Sequence, residues 1–170
     1  MNKPQTIVLH HSASAGSTNN DFTEATINSA HKNRDFPVSS RGFHVGYHYI
    51  IFPDGQLRKY RAHEEIGAHC KTDDFMNGKS LGICLIGNFS ETEPTKSQAK
   101  TLLKLLRILD DTGVVPYGNI APHRKYQPTQ CPGNNISDDL VKYFKDLVDE
   151  DIEPSPRQWA EKHFPEFMWT

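Results

Sequence analysis

The 170-residue chain has no apolar run approaching the roughly 18 residues that a membrane-spanning helix needs. It also lacks a charge bias, with 19 Lys and Arg against 21 Asp and Glu and a formal net charge of -2. A surface so balanced has no electrostatic footprint for gripping phosphate backbones, which argues against nucleic acid as a main partner. Cysteine is scarce: Cys70, Cys84 and Cys131 are an odd number and too few for a disulfide framework. Internal repeats and low-complexity tracts are missing. So is an export signal, because Met1-Asn2-Lys3-Pro4 leads straight into Ile7-Val8-Leu9, too short for a signal-peptide apolar region. Synthesis in the cytoplasm is the expectation. What is present is an ordinary 36% of hydrophobic residues, enough at this length for one cored domain. The unusual component is histidine, with nine residues.

The patterning predicts a single α/β domain with a mixed central sheet, over residues 1–152. Thr6 to His10 reads as a buried strand. Asp21 with Glu24 resembles a capping box, opening a helix that ends before Phe36-Pro37. Tyr47 to Phe52 is a second strand, turned by Pro53-Asp54-Gly55 into a partner from Gln56 to Tyr60. Leu81 to Gly87 is apolar on both faces, as a central strand would be. The strongest helix spans Thr95 to Thr112: Thr95 and Gln98 cap it, and Ala99, Leu102, Leu103, Leu106 and Leu109 form its apolar stripe. Gly113 ends it. A short strand near Asn119 to Ala121 and a helix from Ser137 to Val148 complete the domain. Glu153-Pro154-Ser155-Pro156 breaks the chain before a short aromatic helix in the tail, residues 153–170, expected to pack back on the domain.

The histidines and cysteines suggest a metal site. A tetrahedral zinc site with one open position needs three nitrogen or sulfur ligands on rigid elements. His10, at a strand end, could be the first, and His123 and Cys131 could supply two more from one loop. Their spacing is not one of the tight zinc patterns, and alone it does not decide. A lone histidine is more often structural, and a lone cysteine is more often a small core residue. His10 and His11 are strand neighbours and point to opposite faces, so only one can ligate; a register slipped by one would select His11.

The wider order of motifs adds to this. Leu9-His10-His11-Ser12-Ala13, Gly46-Tyr47-His48-Tyr49-Ile50-Ile51 with Asp54-Gly55, Gly67-Ala68-His69, Ser80 to Gly87, and His123-Arg124 through Cys131-Pro132-Gly133 follow one another. In this the chain resembles the type 2 N-acetylmuramoyl-L-alanine amidase family, which includes peptidoglycan recognition proteins and phage lysins of the T7 lysozyme type. The likeness covers roughly residues 5 to 148, and the tail lies outside it. It implies one zinc ion held by His10, His123 and Cys131, and an active-site tyrosine at Tyr47. Thr129 falls two residues before the last ligand, where family members carry Lys or Thr, and matches the recognition-protein variant. His69 falls in a loop along the substrate groove, where it would contact the saccharide or stem peptide, an exposed loop histidine being the alternative. Two imidazoles and a thiolate would leave the zinc site at net +1. Tyr47 would donate to a developing oxyanion, and Thr129 would orient it. The proton for the leaving amine is left open between Tyr47, water and the substrate.

The resemblance therefore implies a monomeric zinc amidase acting on peptidoglycan, of phage-lysin type, reaching the bacterial wall after release from the cytoplasm. A non-catalytic peptidoglycan-binding module and a cytoplasmic muropeptide-recycling amidase are the alternatives. Retention of His10, Tyr47, His123 and Cys131 argues for the enzyme. His48 reads as a satisfied structural histidine, and His31, His44, His63 and His163 carry no assignment. Cys84 reads as core packing and Cys70 as a free thiol, with a Cys70–Cys84 bridge as the alternative.

Overall fold

The computed structural model describes residues 1–16 and 18–148. The expected tail helix after Ser155, its aromatic residues and His163 lie outside the described residues. Five strands form one sheet: β1 (Thr6–His11), β2 (Tyr49–Ile51), β3 (Leu57–Lys59), β4 (Ser80–Leu85) and β5 (Ile120–Pro122). Their spatial order is β3-β2-β4-β1-β5. β1 runs parallel to β4 and β5, and β2 runs parallel to β4. Only the β2–β3 hairpin is antiparallel, so the sheet is mixed as expected. The hairpin turns at Gly55, whose φ of +87° suits a residue without a side chain.

Helix α1 (Asn20–Lys32) follows β1, α2 (Lys96–Asp111) follows β4, and α3 (Leu140–Val148) follows β5. Alternation along β1 sends Ile7, Leu9 and His11 to one face and Val8 and His10 to the other. The first face packs with α2 and α3 through Leu102, Leu103, Leu106, Leu109, Leu140 and Phe144. The second packs with smaller clusters that include Ile27 of α1, Val45, Cys84, Ile86, Cys70 and Met76. Among the described residues, no helix is long and apolar enough to cross a membrane.

Several sequence expectations need adjustment. The Thr95–Gln98 capping box forms as read, and Gly113 sits at φ +70° just past α2. At α1, however, Asn19 is the cap and accepts from Asp21 and Phe22 N–H, while Asp21 pairs with Arg58. At α3, Asp139 accepts from Lys142 N–H, so the helix starts at Leu140 instead of Ser137. The strand expected from Tyr47 is regular only from Tyr49, because the Gly46 carbonyl turns aside to accept from Ala68 N–H. Cys70 and Cys84 are both free thiols, so no bridge joins them.

Two buried histidines give the fold an acid-sensitive interior. His48 accepts Gly82 N–H on Nδ1 and donates from Nε2 to the Glu65 carbonyl. His31 accepts Gly46 N–H on Nδ1. A second ring proton on either would face a donor. Burial, the main cause, lowers the pKa of His31 from 6.5 to about 4 and that of His48 to about 3. Below 6.5 the unfolded chain binds more protons than the folded one, so stability is full above that value and falls as pH drops toward 4. Each residue contributes up to about 1.4 kcal/mol per pH unit in that window. Urea unfolding of chelator-treated protein should give similar midpoints at pH 7.5 and 7, and a clear drop by pH 5. A flat profile down to pH 5 would contradict this account.

Candidate metal centre

His10 is the penultimate residue of the interior strand β1, and it is 2% exposed. His123 follows β5, which lies beside β1, and opens a short 3-10 turn, His123–Lys125. Cys131 is brought back to the same place by the bond from Arg124 N–H to the Cys131 carbonyl, 2.9 Å. The Arg124 side chain then clamps the following segment, donating to Asp138 and to the Gly133 and Ile136 carbonyls. One ligand-type atom from each of His10, His123 and Cys131 lies within 4.8 Å of the others. His10 Nδ1 is 3.7 Å from Cys131 Sγ. Zinc bond lengths to nitrogen and sulfur imply a tetrahedral edge of about 3.5 Å, so the spacing fits.

The ionisation of this donor set also fits a metal. Burial above all, then His69, His123 and His11, holds His10 well below the ordinary imidazole range, so it is neutral. Burial lowers His123 as well, against an opposing contribution from Gln127. Burial raises the Cys131 thiol to about 11, while His11 N–H and Arg124 pull the other way. The His11 amide stands 3.4 Å from Sγ. A metal entering here would displace the thiol proton and accept two neutral imidazoles.

The remaining sequence candidates group around this cluster to different degrees. The Tyr47 ring lies 5.2 Å from the His10 ring and 5.5 Å from that of His31. Just before it, Gly46 lets the chain pack against the segment of His69, since a Cβ there would stand 2.2 Å from the Ala68 carbonyl oxygen. Burial, with Cys84 and Cys131 beside it, raises the Tyr47 pKa well above 10, keeping its hydroxyl protonated. Thr129 is exposed, and its hydroxyl oxygen accepts from Cys131 N–H at 3.2 Å. His11 faces away from the cluster, with its Nδ1 accepting Phe89 N–H.

His69 is set against one of the candidate ligands, His10. Its Nδ1 lies 3.1 Å from His10 Nε2. The ring fits because the neighbouring strand has a glycine at 82, where a Cβ would meet His69 Cγ at 2.5 Å. A glycine inside an otherwise apolar central strand is the sequence signal that something approaches closely there. Gln127 is a site residue that the sequence reading passed over. It lies within the His123–Cys131 loop, and its Oε1 is 2.5 Å from His123 Nε2.

Comparison with known proteins shows the family. The family profile described as N-acetylmuramoyl-L-alanine amidase matches residues 1–134. Peptidoglycan-recognition protein SC2 of Drosophila simulans is 31% identical over 136 residues, covering 78% of this chain and 70% of that protein. The endolysin of Enterobacteria phage K11 is 33% identical over 114 residues, covering 63% of this chain and 70% of that one. Among solved structures, N-acetylmuramoyl-L-alanine amidase LysC from Clostridium intestinale URNW aligns with a TM-score of 0.69 at 27% identity, covering 88% of each chain. The chain spans from about half to seven tenths of the length of the curated recognition proteins it matches. With the family profile matching residues 1–134, a span that contains His10, Tyr47, His69, His123, Thr129 and Cys131, the chain belongs to the N-acetylmuramoyl-L-alanine amidase family.

Proposed function

We propose that the chain is a zinc-dependent N-acetylmuramoyl-L-alanine amidase. It would hydrolyse the amide joining N-acetylmuramic acid to the L-alanine of the peptidoglycan stem, as a lysin of the phage type. The observation that carries this reading is the convergence of His10, His123 and Cys131 at ligand spacing. Zinc held by these three would supply Lewis acidity toward the scissile carbonyl and acidify a water molecule.

The chain's own groups do the rest. The imidazoles of His10 and His123 stay neutral, and Cys131 gives up its proton. Tyr47 keeps its phenolic proton and donates it as a hydrogen bond where negative charge develops on the carbonyl oxygen. Thr129 orients the same oxygen from the rim. Hydrolysis adds hydroxide to the acyl carbon, breaks the C–N bond and returns one proton to the leaving amine. Among the described residues, no carboxylate is among the groups that shift His10, Tyr47, His69, His123 or Cys131. The paired carboxylates of a glycosidase have no counterpart here. Action at the bacterial wall after release from the producing cell belongs to the same proposal, and likeness to an endolysin supports it. Action as a monomer belongs to the same proposal.

Digestion of intact sacculi, with and without chelator, tests the reading by mass spectrometry. The expected products are free stem peptides and intact glycan strands without new reducing ends, formed only in the absence of chelator. Shortened glycans still carrying peptides would overturn the bond assignment. Binding to sacculi without any product would make the chain a recognition module instead.

A further inference from the structure

The two ligand histidines are oriented from one short segment on the far side of the cluster. His69 Nδ1 meets His10 Nε2 at 3.1 Å. Two residues on, the Lys71 carbonyl accepts a hydrogen bond from Gln127 Nε2, and Gln127 Oε1 lies 2.5 Å from His123 Nε2. The segment itself is pinned by Asn77, whose Oδ1 accepts from His69 N–H at 2.9 Å and from Cys70 N–H at 2.8 Å.

The chemistry of these links runs in one direction. A carbonyl oxygen cannot donate, so the Gln127 atom facing Lys71 must be the amide nitrogen. Its oxygen then faces His123, and His123 Nε2 must carry the ring proton. That leaves Nδ1 of His123 with a free lone pair. At His10, a proton on Nε2 shared with His69 likewise leaves Nδ1 free, on the side where Cys131 Sγ lies. Partners on the remote nitrogen fix the tautomer and direction of a ligating imidazole.

We propose that Gln127 is a positioning residue. It transmits the fixed position of the Lys71 carbonyl to His123, so that residues 69–71 serve as the common outer support of both metal-ligating histidines. The inference rests on the metal reading given above. It differs from it in naming what holds the ligands, and it couples metal affinity to the order of residues 70–79.

Three measurements on the full chain test it. In metal-free protein, imidazole nitrogen-15 shifts should show His123 as the Nε2–H tautomer, and Gln127→Met should convert it to a mixture. This arm needs no zinc, so it stands or falls apart from the amidase reading. Zinc affinity, measured by competition with a chromophoric chelator, should fall about 10- to 100-fold in Gln127→Met. Gln127→Glu keeps an acceptor for His123 but sets an oxygen against the Lys71 carbonyl. With the Lys71 link lost, it should weaken zinc binding by a smaller factor than Gln127→Met while amide exchange quickens across 70–79, and parental zinc affinity with quickened exchange would overturn the coupling to that segment. Metal-free melting curves check that each variant folds. Unchanged His123 shifts and zinc affinity in Gln127→Met would overturn the proposal. A wild-type chain with the Nε2–H tautomer but no zinc affinity would retain the positioning link and sink the metal reading.

Discussion

Replacing Cys131 with Ser, or His123 with Ala, is expected to leave a folded chain that no longer retains stoichiometric zinc or releases stem peptides. The three donors come from β1, the turn after β5 and the loop behind it, so removing one leaves two. A serine hydroxyl at 131 would keep the size and the contact with His11 N–H, but it does not ionise to replace a thiolate. Outer partners of metal ligands are each worth about 10- to 100-fold in affinity, and loss of a direct ligand exceeds that. Metal analysis after gel filtration, beside the wild-type protein, is the direct measurement. Full zinc retention in either variant would falsify the ligand set. The fold should survive, because His123 and Cys131 are only half-buried and the main apolar core lies across the sheet.

Tyr47→Phe should separate chemistry from structure. The ring contacts with His10 and His31 remain, and only the hydroxyl is lost. Loss of a single oxyanion donor lowers turnover by about 10²-fold, equivalent to about 2.7 kcal/mol of transition-state stabilisation. Zinc content should be unchanged and the melting temperature nearly so. If turnover is also unchanged, the donor role passes to Thr129 or to water. If zinc is lost, Tyr47 supports the His10 ring instead of the transition state.

Elements with local causes were legible in the sequence. The α2 cap needs only Thr95 and Gln98, three residues apart, and its stripe needs only the helical period. The α1 start was misplaced because Asn19 and Asp21 are both good caps. The choice between them is made by Arg58, a residue of β3 that claims Asp21. The candidate ligands are read from the order of their motifs, since the eight-residue step from His123 to Cys131 has no meaning until Arg124 folds the loop. What holds the candidate ligands was barely legible. Gln127 reaches Lys71 across 56 positions, and His69 reaches His10 across 59. No periodicity or turn chemistry encodes such pairs, and only Gly82 left a mark in the sequence.

The place of β1 inside the sheet has a consequence in time. A nascent chain makes β1 first, with His10 already at its end, yet β1 is an interior strand flanked by β4 and β5. β5 pairs with it at only three positions, Ile7 with Ile120, Val8 with Ala121 and Leu9 with Pro122. The first candidate ligand is therefore synthesised more than a hundred residues before the other two. In polymer language, a metal seated here ties a very long loop, whose closure entropy the folded sheet has already met. Metal capture at this site would thus follow the docking of β5. Until then a solitary His10 would be as indifferent to zinc as any other strand histidine.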